Sequence, residues 1–259
     1  MEINKVYHAD VFDFLAALPD NSIDLAIIDP PYNLNKGAWD SFKNEQAYFD
    51  FTFRWIDAIV PKLKETSSVY LFNTAYNSAI ILNYLLNKKL IYKNWITWYK
   101  KDGFSSSRKK YVNAQETILF LTKSTQYTFN CDDIRQPYSS QDRMAHAAKK
   151  GILKNGKRWF PDERGKLCVD VWEITSQRHK EKVGGRVQAL KHPTVKPYEM
   201  IERIIKASSN DESLVLDLFC GSGMACRVAK DLNRNYIGCE LNEEYIEFMR
   251  EAGLEIATL

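Results

Sequence analysis

Two series of alternating strand and helix patterns flank one irregular tract, and this arrangement constrains the fold more than any other feature. Seven short apolar runs are typical of strands, and they occupy residues 5–10, 23–28, 67–73, 94–100, 116–123, 213–219 and 235–241. Most of them are separated by segments in which apolar residues recur at helical spacing. Alternation of this kind predicts one doubly wound, mostly parallel sheet of seven strands with helices on both faces.

The tract between the two series, residues 124–191, is polar and offers only short candidate strands such as 166–174. It carries fourteen Lys and Arg against eight Asp and Glu, whereas the whole chain has a net charge of +3. A basic insertion is typical of a surface that faces a polyanion, although a solvated charged surface has the same composition. The sequence therefore predicts two halves of one α/β domain, 1–123 and 192–259, and an inserted region at 124–191.

The composition narrows the class of protein. Apolar residues make up 45% and charged residues 27% of the chain, which is ordinary for a globular protein. No apolar run is long enough to span a membrane, and no basic segment leads into an apolar one near Met1, so we expect a cytoplasmic protein. The five cysteines are odd in number and form no C-x-x-C pair, which argues against a disulfide framework and a structural zinc site.

A glycine turn at LDLFCGSGMACRVA, residues 216–229, follows a buried strand and precedes a helix. Gly221 and Gly223 would allow a sharp bend and a close approach of the backbone to a ligand, although a tight turn alone is the simpler alternative. Position 226 is Cys, where a dinucleotide-binding fingerprint has glycine or alanine, and this weakens a nicotinamide interpretation. Glu240 ends the next strand, where an acid can accept hydrogen bonds from two ribose hydroxyls.

A second motif, DPPY at residues 29–32, follows the strand-like run at 23–28. Proline at position 31 favours extended geometry for the residue before it, so the turn is stiff. Asp29 and the carbonyl of Pro30 then offer two fixed acceptors beside the flat ring of Tyr32. The exocyclic amine of a nucleobase presents the complement, two N–H donors in the plane of a ring that can stack. In the alternative interpretation Asp29 caps the turn and Tyr32 belongs to the core.

The motifs DPPYN, LDLFCGSG, GCEL and HPTVKP together resemble those of the amino-group DNA methyltransferases that use S-adenosyl-L-methionine, and their order resembles the β class. The resemblance covers almost the whole chain. It implies a Rossmann-like fold with a circularly permuted, seven-stranded sheet, in which 124–191 is a target-recognition region. It also implies methylation of adenine N6 in a flipped base of double-stranded DNA, within a restriction–modification system that has a cognate endonuclease, by a monomer or homodimer.

The resemblance also assigns roles to individual residues. The catalytic motif matches Asp29, Pro30, Pro31 and Tyr32. The residues expected on the cofactor side are Asp10, Asp29, Thr194, Lys196, Phe219, Gly221, Ser222, Gly223 and Glu240. No metal is expected, because the four histidines lack ligand spacing and methyl transfer from a sulfonium needs none.

Basic residues of two regions are predicted to contact DNA, mainly through phosphates. One group flanks the catalytic edge and comprises Lys100, Lys101, Arg108, Lys109 and Lys110. The other lies in the inserted region and comprises Arg135, Arg143, Lys149, Lys150, Arg158, Arg178, Lys180 and Arg186. Trp39, just after the catalytic turn, is a candidate for a lid or wedge, and a packed loop residue is the alternative.

Other functions remain open at this point. Cytosine-N4 methylation needs the same site geometry, but relatives that act on cytosine usually have serine at the first catalytic position, so Asp29 favours adenine. Glutamine and RNA methyltransferases usually have asparagine there and keep the unpermuted motif order. A DNA-binding module with an inactive cofactor site belongs to a different class, and the intact Asp29, Tyr32 and Glu240 argue against it.

Overall fold

A computed structural model describes residues 1–100, 108–176, 180–183, 186–189 and 195–259, with the backbone alone at 180–183 and 186–189. Of the predicted site residues, Lys101, Arg178 and Thr194 lie outside the described residues, and the side chains of Lys180 and Arg186 are not described.

Thirteen strands and seven α-helices make up the described fold. The strands are β1 Lys5–His8, β2 Ile23–Ile28, β3 Leu63–Asn73, β4 Ile91–Tyr99, β5 Gln115–Thr122, β6 Ile152–Lys154, β7 Lys157–Trp159, β8 Val171–Glu173, β9 Lys180–Val183, β10 Arg186–Ala189, β11 Leu214–Asp217, β12 Asn235–Glu240 and β13 Ile256–Thr258. The helices are α1 Val11–Ala17, α2 Glu45–Ile59, α3 Ala75–Asn87, α4 Gln141–Lys150, α5 Tyr198–Ser208, α6 Met224–Asp231 and α7 Glu243–Glu251.

One sheet of nine strands dominates the fold, in the order β13-β1-β12-β11-β2-β3-β5-β4-β8. The pairs from β13 to β3 are parallel, β5 is antiparallel to both of its neighbours, and β8 is parallel to β4. The predicted α/β class and mostly parallel sheet are confirmed. The predicted number of strands was wrong, because the three-residue edge strands β8 and β13 extend the seven predicted strands to nine. Such short strands have too few residues to show a period.

Both faces of the sheet are covered by helices. In β2, Leu25 and Ile27 pack into one core with α5, α6 and α7, whereas Ala26 and Ile28 pack into the other core with α1, α2 and α3. Burial on both faces explains why β2 is continuously apolar rather than alternating. Each fully buried Leu or Ile contributes roughly 1.5–3 kcal/mol to stability.

The connections reverse direction between β2 and β11. The chain passes from β2 through α2 to β3 on one side, and from β11 through α6 to β12 on the other side. Ligands of open α/β sheets bind at such a switch point, outside the carboxyl ends of the strands. Because β5 runs antiparallel, its first residues lie at this same edge, beside the end of β3 and the end of β4. The edge therefore collects side chains from six strands.

The region predicted as an insertion is more regular than the sequence indicated. It forms α4, the β6–β7 hairpin and the β9–β10 hairpin, and it supplies β8 to the main sheet. The β6–β7 turn at Asn155 and Gly156 has φ values of 51° and 75°, the left-handed pair that suits a two-residue hairpin. Helix α4 was not predicted because Ala147 is its single buried residue, which leaves almost no apolar period.

No helix among the described residues combines the length and the apolar character that crossing a membrane requires.

Candidate active site

The loop that carries the predicted catalytic residues is held by one buried aspartate. The Oδ1 of Asp40 accepts hydrogen bonds from the backbone N–H groups of Tyr32 (2.6 Å) and Asn33 (2.8 Å). Its Oδ2 accepts from Leu34 (2.9 Å) and Lys36 (3.1 Å). Asp40 is 1% exposed, so these four donors replace its water shell. The loop after DPPY is thus fixed by a residue that the sequence did not single out.

The carbonyl of Tyr32 is fixed from the other side by helix α3. Thr74 caps this helix by accepting a hydrogen bond from the N–H of Asn77. The amide of Asn77 then donates to the Tyr32 carbonyl oxygen at 2.9 Å. Helix α3 begins directly after β3. The hydrogen bond from Asn77, in the first turn of α3, therefore fixes the position of Tyr32 relative to the sheet.

Asp29 follows the last residue of β2, and both of its carboxylate oxygens are engaged. Oδ1 accepts from the Tyr32 hydroxyl at 2.8 Å, and Oδ2 accepts from the Lys196 ammonium at 2.5 Å. Lys196 is 6% exposed and is therefore almost completely buried. No hydrogen bond from the described residues reaches the carbonyl oxygen of Pro30.

Glu116, the second residue of β5, is the other acid at this edge. Its Oε1 accepts from the Lys100 ammonium, and its Oε2 lies 3.7 Å from the Lys196 ammonium and 3.4 Å from the Tyr32 hydroxyl. Two carboxylates and two ammonium groups therefore balance each other in one cluster.

The charged forms of Lys196 and Glu116 are favoured in this cluster. Burial opposes the charge on Lys196, but the carboxylates of Asp29 and Glu116 outweigh it and raise the pKa of Lys196. Burial likewise opposes the charge on Glu116, and the two lysines outweigh it and lower the pKa of Glu116. Burial and the same two carboxylates raise the pKa of the Tyr32 hydroxyl well above its usual value, so Tyr32 is neutral.

The glycine turn follows β11, the strand next to β2. Asp217 at the end of β11 is in register with Ile27 of β2. Gly221 and Gly223 have φ values of 51° and 70°, so both occupy the left-handed region. Glu240, the last residue of β12, accepts from the N–H groups of Gly221 (2.7 Å), Leu241 (3.0 Å) and Asn242 (2.8 Å). Burial raises the pKa of Glu240, and these backbone donors counteract that increase.

Replacing Gly223 with alanine should destabilise the fold by about 2 kcal/mol or more, through backbone strain and overpacking. A Cβ there would lie 2.7 Å from both Leu254 Cδ1 and Met249 Sδ. Gly156→Ala is the matched control, because φ at Gly156 is also positive but a Cβ there meets nothing within 4 Å. Chemical denaturation gives the free energy of unfolding of both variants. The loss in Gly156→Ala measures backbone strain alone, and the additional loss in Gly223→Ala measures overpacking. Equal losses would contradict the packing account.

One cavity of about 540 Å³ joins the two motifs. Of the residues predicted for the site, those lining it are Asp29, Pro30, Tyr32, Lys100, Lys196, Phe219, Gly221 and Ser222. Its volume lies in the range of drug-sized ligand sites, and the left-handed glycine turn leaves room for a ligand close to the backbone. The cavity therefore has the size and lining to hold a nucleoside-type cofactor together with a planar base.

Four of the described residues predicted for catalysis or cofactor binding do not line this cavity. Asp10 caps α1 by accepting from the N–H of Phe12 at 2.8 Å. Pro31 is buried, Gly223 forms the N-terminal cap of α6, and Glu240 is bonded to Gly221 from behind the turn. Trp39 does line the cavity. These positions give Asp10 and Gly223 structural contacts, and their predicted cofactor roles stay predictions.

Asp217 lines the cavity as a buried acid at the end of β11. Burial, followed by the nearby Asp29 and Glu240, raises the pKa of Asp217 to about 8. The folded chain therefore keeps a proton at neutral pH that the unfolded chain releases above the ordinary aspartate pKa. Unfolding then becomes easier as pH rises from about 4 to about 8.

Asp217→Asn should consequently be more stable than the unmodified chain at pH 7.5, by an amount on the order of a few kcal/mol. The amide cannot ionise, so the penalty is removed, and the difference should vanish near pH 4. Denaturation midpoints across this pH range provide the measurement. A difference that does not change with pH would show that Asp217 is not protonated in the fold.

Asp217 also lies close to two thiols, since single ligand atoms of Asp217, Cys220 and Cys226 fall within 4.8 Å of one another. Burial raises the pKa of Cys220 well above its usual value, which keeps this side chain in the thiol form. Metal ions bind the thiolate, so we assign this cluster no ligand role.

The basic residues predicted to contact DNA differ in their contacts and their exposure. The guanidinium of Arg135 bridges Asp132 (2.7 Å) and Asp162 (3.0 Å), and Arg158 donates to the carbonyl of Lys150, so both brace the inserted region. The exposed members of the pool are Arg108, Lys109, Lys110, Arg143, Lys149, Lys150 and Arg158. Arg135 is engaged in ion pairs within the inserted region, and its predicted DNA contact stays a prediction.

Sequence reasoning missed Asp40, Asn77, Glu116 and Asp217. Asp217 could have been noticed, because it ends the strand directly before the glycine turn. Glu116 carried no local signal, since its place depends on the antiparallel direction of β5. The side chains of Asp40 and Asn77 hydrogen-bond to backbone groups of Tyr32 and the loop that follows it. No spacing of residue types in the sequence predicts such contacts.

Comparison with known proteins agrees with this geometry. Residues 23–251 match the family model of the N6/N4 type described as DNA methylase. The Type II methyltransferase M1.MboII of Moraxella bovis is 54% identical to this chain over 246 residues, which cover 95% of each protein. The chain thus belongs to the N6/N4 family of DNA methyltransferases, and the resemblance inferred from the motifs is confirmed.

Solved structures show the same fold. The M1.HpyAVI–SAM complex superposes with a TM-score of 0.65 at 22% identity, covering 96% of this chain and 98% of that one. The cytosine-N4-specific PvuII DNA methyltransferase gives a TM-score of 0.71 at 17% identity, covering 96% and 86%. The fold is that of the S-adenosylmethionine-dependent DNA methyltransferases, as the sequence predicted.

Proposed function

We propose that this chain transfers a methyl group from S-adenosyl-L-methionine to the N6 amine of a flipped adenine in double-stranded DNA. The observation that carries the proposal is that Asp29, Pro30 and the glycine turn line one cavity. A donor and an acceptor of the methyl group can therefore meet without leaving the site. The Type II name of M1.MboII supports a place in a restriction–modification system, with a cognate endonuclease acting on the same DNA site.

The residues suited to hold the cofactor surround the glycine turn. Phe219, Gly221 and Ser222 line the cavity, and Glu240 supports the turn from behind. The proposed contact of Glu240 with ribose hydroxyls rests on its position at the end of β12. When bound, S-adenosylmethionine supplies the electrophilic methyl group that the amine nitrogen takes up.

The catalytic turn has to make an aromatic amine nucleophilic. The nitrogen lone pair is delocalised into the adenine ring, so the free amine reacts poorly. Asp29 and the Pro30 carbonyl would accept its two hydrogens, favour a more tetrahedral nitrogen and stabilise the positive charge that develops. Tyr32 would stack on the ring, and the rigid turn would aim the nitrogen. The proton leaves N6 during or after transfer, to Asp29 or to water.

The exposed basic residues of α4 and the adjoining hairpin form the proposed DNA surface. Lys149, Lys150 and Arg158 lie together there, and the Arg158–Lys150 hydrogen bond holds the hairpin against the helix end. Neutralising phosphates with such residues supplies affinity that falls as salt concentration rises.

Changing both Lys149 and Lys150 to alanine should weaken DNA binding and lower the slope of log K against log salt by about 1 for each phosphate that is no longer neutralised. Fluorescence anisotropy at several salt concentrations measures this slope. Lys88→Ala is the control, because Lys88 pairs with Asp57 outside the inserted region. An unchanged slope in the double variant would remove α4 from the DNA surface.

The proposed base specificity is tested by methylating DNA with the purified protein and analysing its nucleosides by mass spectrometry. We expect N6-methyldeoxyadenosine, because Asp29 stands where relatives that act on cytosine usually have serine. N4-methyldeoxycytidine would overturn the adenine assignment but keep the enzyme class. DNA left unmodified in the presence of bound cofactor would contradict catalysis altogether.

A further inference from the structure

We propose that Glu116 is a positioning residue that receives Lys196 and the Tyr32 hydroxyl from Asp29 when the target amine binds. This inference rests on the proposed function, because it assumes that Asp29 accepts a hydrogen bond from the amine. It assigns a role to an acid that neither of the two sequence motifs contains.

The starting point is that both oxygens of Asp29 are already engaged. Its two oxygens accept from the Tyr32 hydroxyl at 2.8 Å and from the Lys196 ammonium at 2.5 Å. Each oxygen keeps a lone pair for a further donor, but the ammonium in contact with Oδ2 weakens the carboxylate as an acceptor, so the amine bonds to Asp29 most strongly when Lys196 moves aside. A buried donor that loses its acceptor is costly, so each displaced group needs a new partner nearby.

Glu116 is that partner for both groups. Its Oε2 lies 3.4 Å from the Tyr32 hydroxyl and 3.7 Å from the Lys196 ammonium. A movement of about 1 Å would bring either donor to normal hydrogen-bond distance. Lys100 already pairs with the other oxygen, Oε1, and holds the carboxylate in place. Glu116 is therefore the alternative acceptor for both of the donors that contact Asp29.

The charge of Lys196 gives this exchange a consequence for the reaction. An ammonium in contact with Asp29 weakens the ability of that carboxylate to stabilise positive charge at the amine nitrogen. Lys196 is 6% exposed, and its ammonium lies 5.5 and 5.2 Å from the ring centres of Tyr32 and Phe72, so a displaced ammonium still needs a carboxylate partner. Lys196 also does not become neutral by losing its proton, since the two carboxylates raise the pKa of Lys196 despite its burial. Moving the ammonium toward Glu116 keeps it paired and frees Asp29.

The test measures single-turnover methylation at saturating DNA and cofactor, together with the dissociation constants of both. Glu116→Gln should slow the chemical step by about 10- to 100-fold, because the amide holds Lys196 less strongly and leaves it on Asp29. The cofactor dissociation constant should change by no more than about twofold, since the cofactor is not expected to bind through Glu116. Glu199→Gln is the matched control, because it removes an exposed ion pair with Arg203.

The double variant Glu116→Gln, Lys196→Met gives the sharper result. Removing the ammonium frees Asp29, so the double variant should react faster than Glu116→Gln alone. A role of Glu116 in structure alone predicts the opposite, a double variant at least as slow as the slower single variant.

The pH dependence of Lys196→Met adds a separate readout. Without the ammonium, Glu116 keeps only Lys100 as a positive partner and faces Asp29 as a like charge, so the pKa of Glu116 should rise. The acid limb of its rate profile should therefore move to higher pH, and adding Glu116→Gln should move it back.

Three outcomes would overturn the inference: a normal rate in Glu116→Gln, a double variant no faster than Glu116→Gln with both ligands still bound, or an unmoved acid limb. Failure of the proposed function looks different. In that case the unmodified chain yields no methyladenine, or Asp29→Ala stays active. A normal Glu116→Gln beside an inactive Asp29→Ala would reject the role of Glu116 alone.

Discussion

Asp29→Ala is expected to reduce the methyl-transfer rate by at least about a hundredfold while cofactor binding is retained. The alanine removes one of the two acceptors that would hold the amine and leaves its developing charge without a carboxylate. Cofactor binding should persist, because the glycine turn and Glu240 lie on the other strands β11 and β12. Single-turnover rates and calorimetric titration with S-adenosylmethionine provide the two measurements.

Asp57→Ala is a suitable control for this variant, since Asp57 is an exposed acid paired with Lys88. Lys196 keeps a partner in Asp29→Ala, because Glu116 lies 3.7 Å away, so the fold should survive. Near-normal turnover by Asp29→Ala would refute the catalytic assignment. Loss of cofactor binding along with the rate would instead support the cofactor contact that the resemblance also assigns to Asp29.

Asp40→Ala should destabilise the chain by about 3 kcal/mol or more and also lower the rate strongly. The change removes the acceptor of four backbone N–H groups, those of Tyr32, Asn33, Leu34 and Lys36. Asparagine should not restore the loop. Its NH2 group would replace one carboxylate oxygen, and a donor would then point at two backbone N–H donors. Chemical denaturation gives the stability, and single-turnover kinetics at a temperature where the variant stays folded gives the rate.

Asp50→Ala is the matched control for Asp40→Ala. Asp50 is exposed and accepts a hydrogen bond from the Gln46 side chain within α2, so its loss should change stability by less than about 0.5 kcal/mol. If Asp40→Ala were destabilised but reacted at the normal rate, Asp40 would support the loop without positioning the catalytic turn.

Much of the fold could be predicted because a strand buried on both faces is apolar throughout its length. The runs that became β2 and β11 show this pattern clearly, and so do the helices that cover them. The edge strand β13 was missed and β8 was only part of the short candidate strand at 166–174, since three residues form too short a segment to show a period. Val171 of β8 is even 57% exposed, so its side chain gives no sign of a sheet.

The candidate site was predictable only where its chemistry lies in a local motif. Asp29 with Tyr32 and Gly221 with Gly223 could be recognised, because each pair comes from one short turn at the end of a strand. Glu116 could not be recognised, as it reaches the site through the antiparallel pairing of β5 with β3. Lys196 was predicted on the cofactor side, and its contact with Asp29 depends on the path of the loop before α5.

The central claim is that a flipped adenine is held by its amine between Asp29 and the Pro30 carbonyl. A structure of the protein with an inert cofactor analogue and a duplex carrying the mapped methylation site tests this most directly. We predict that N6 lies within hydrogen-bond distance of both acceptors, with the ring stacked on Tyr32. A base still stacked in the duplex, or an extruded base whose amine lies away from residue 29, would contradict the claim.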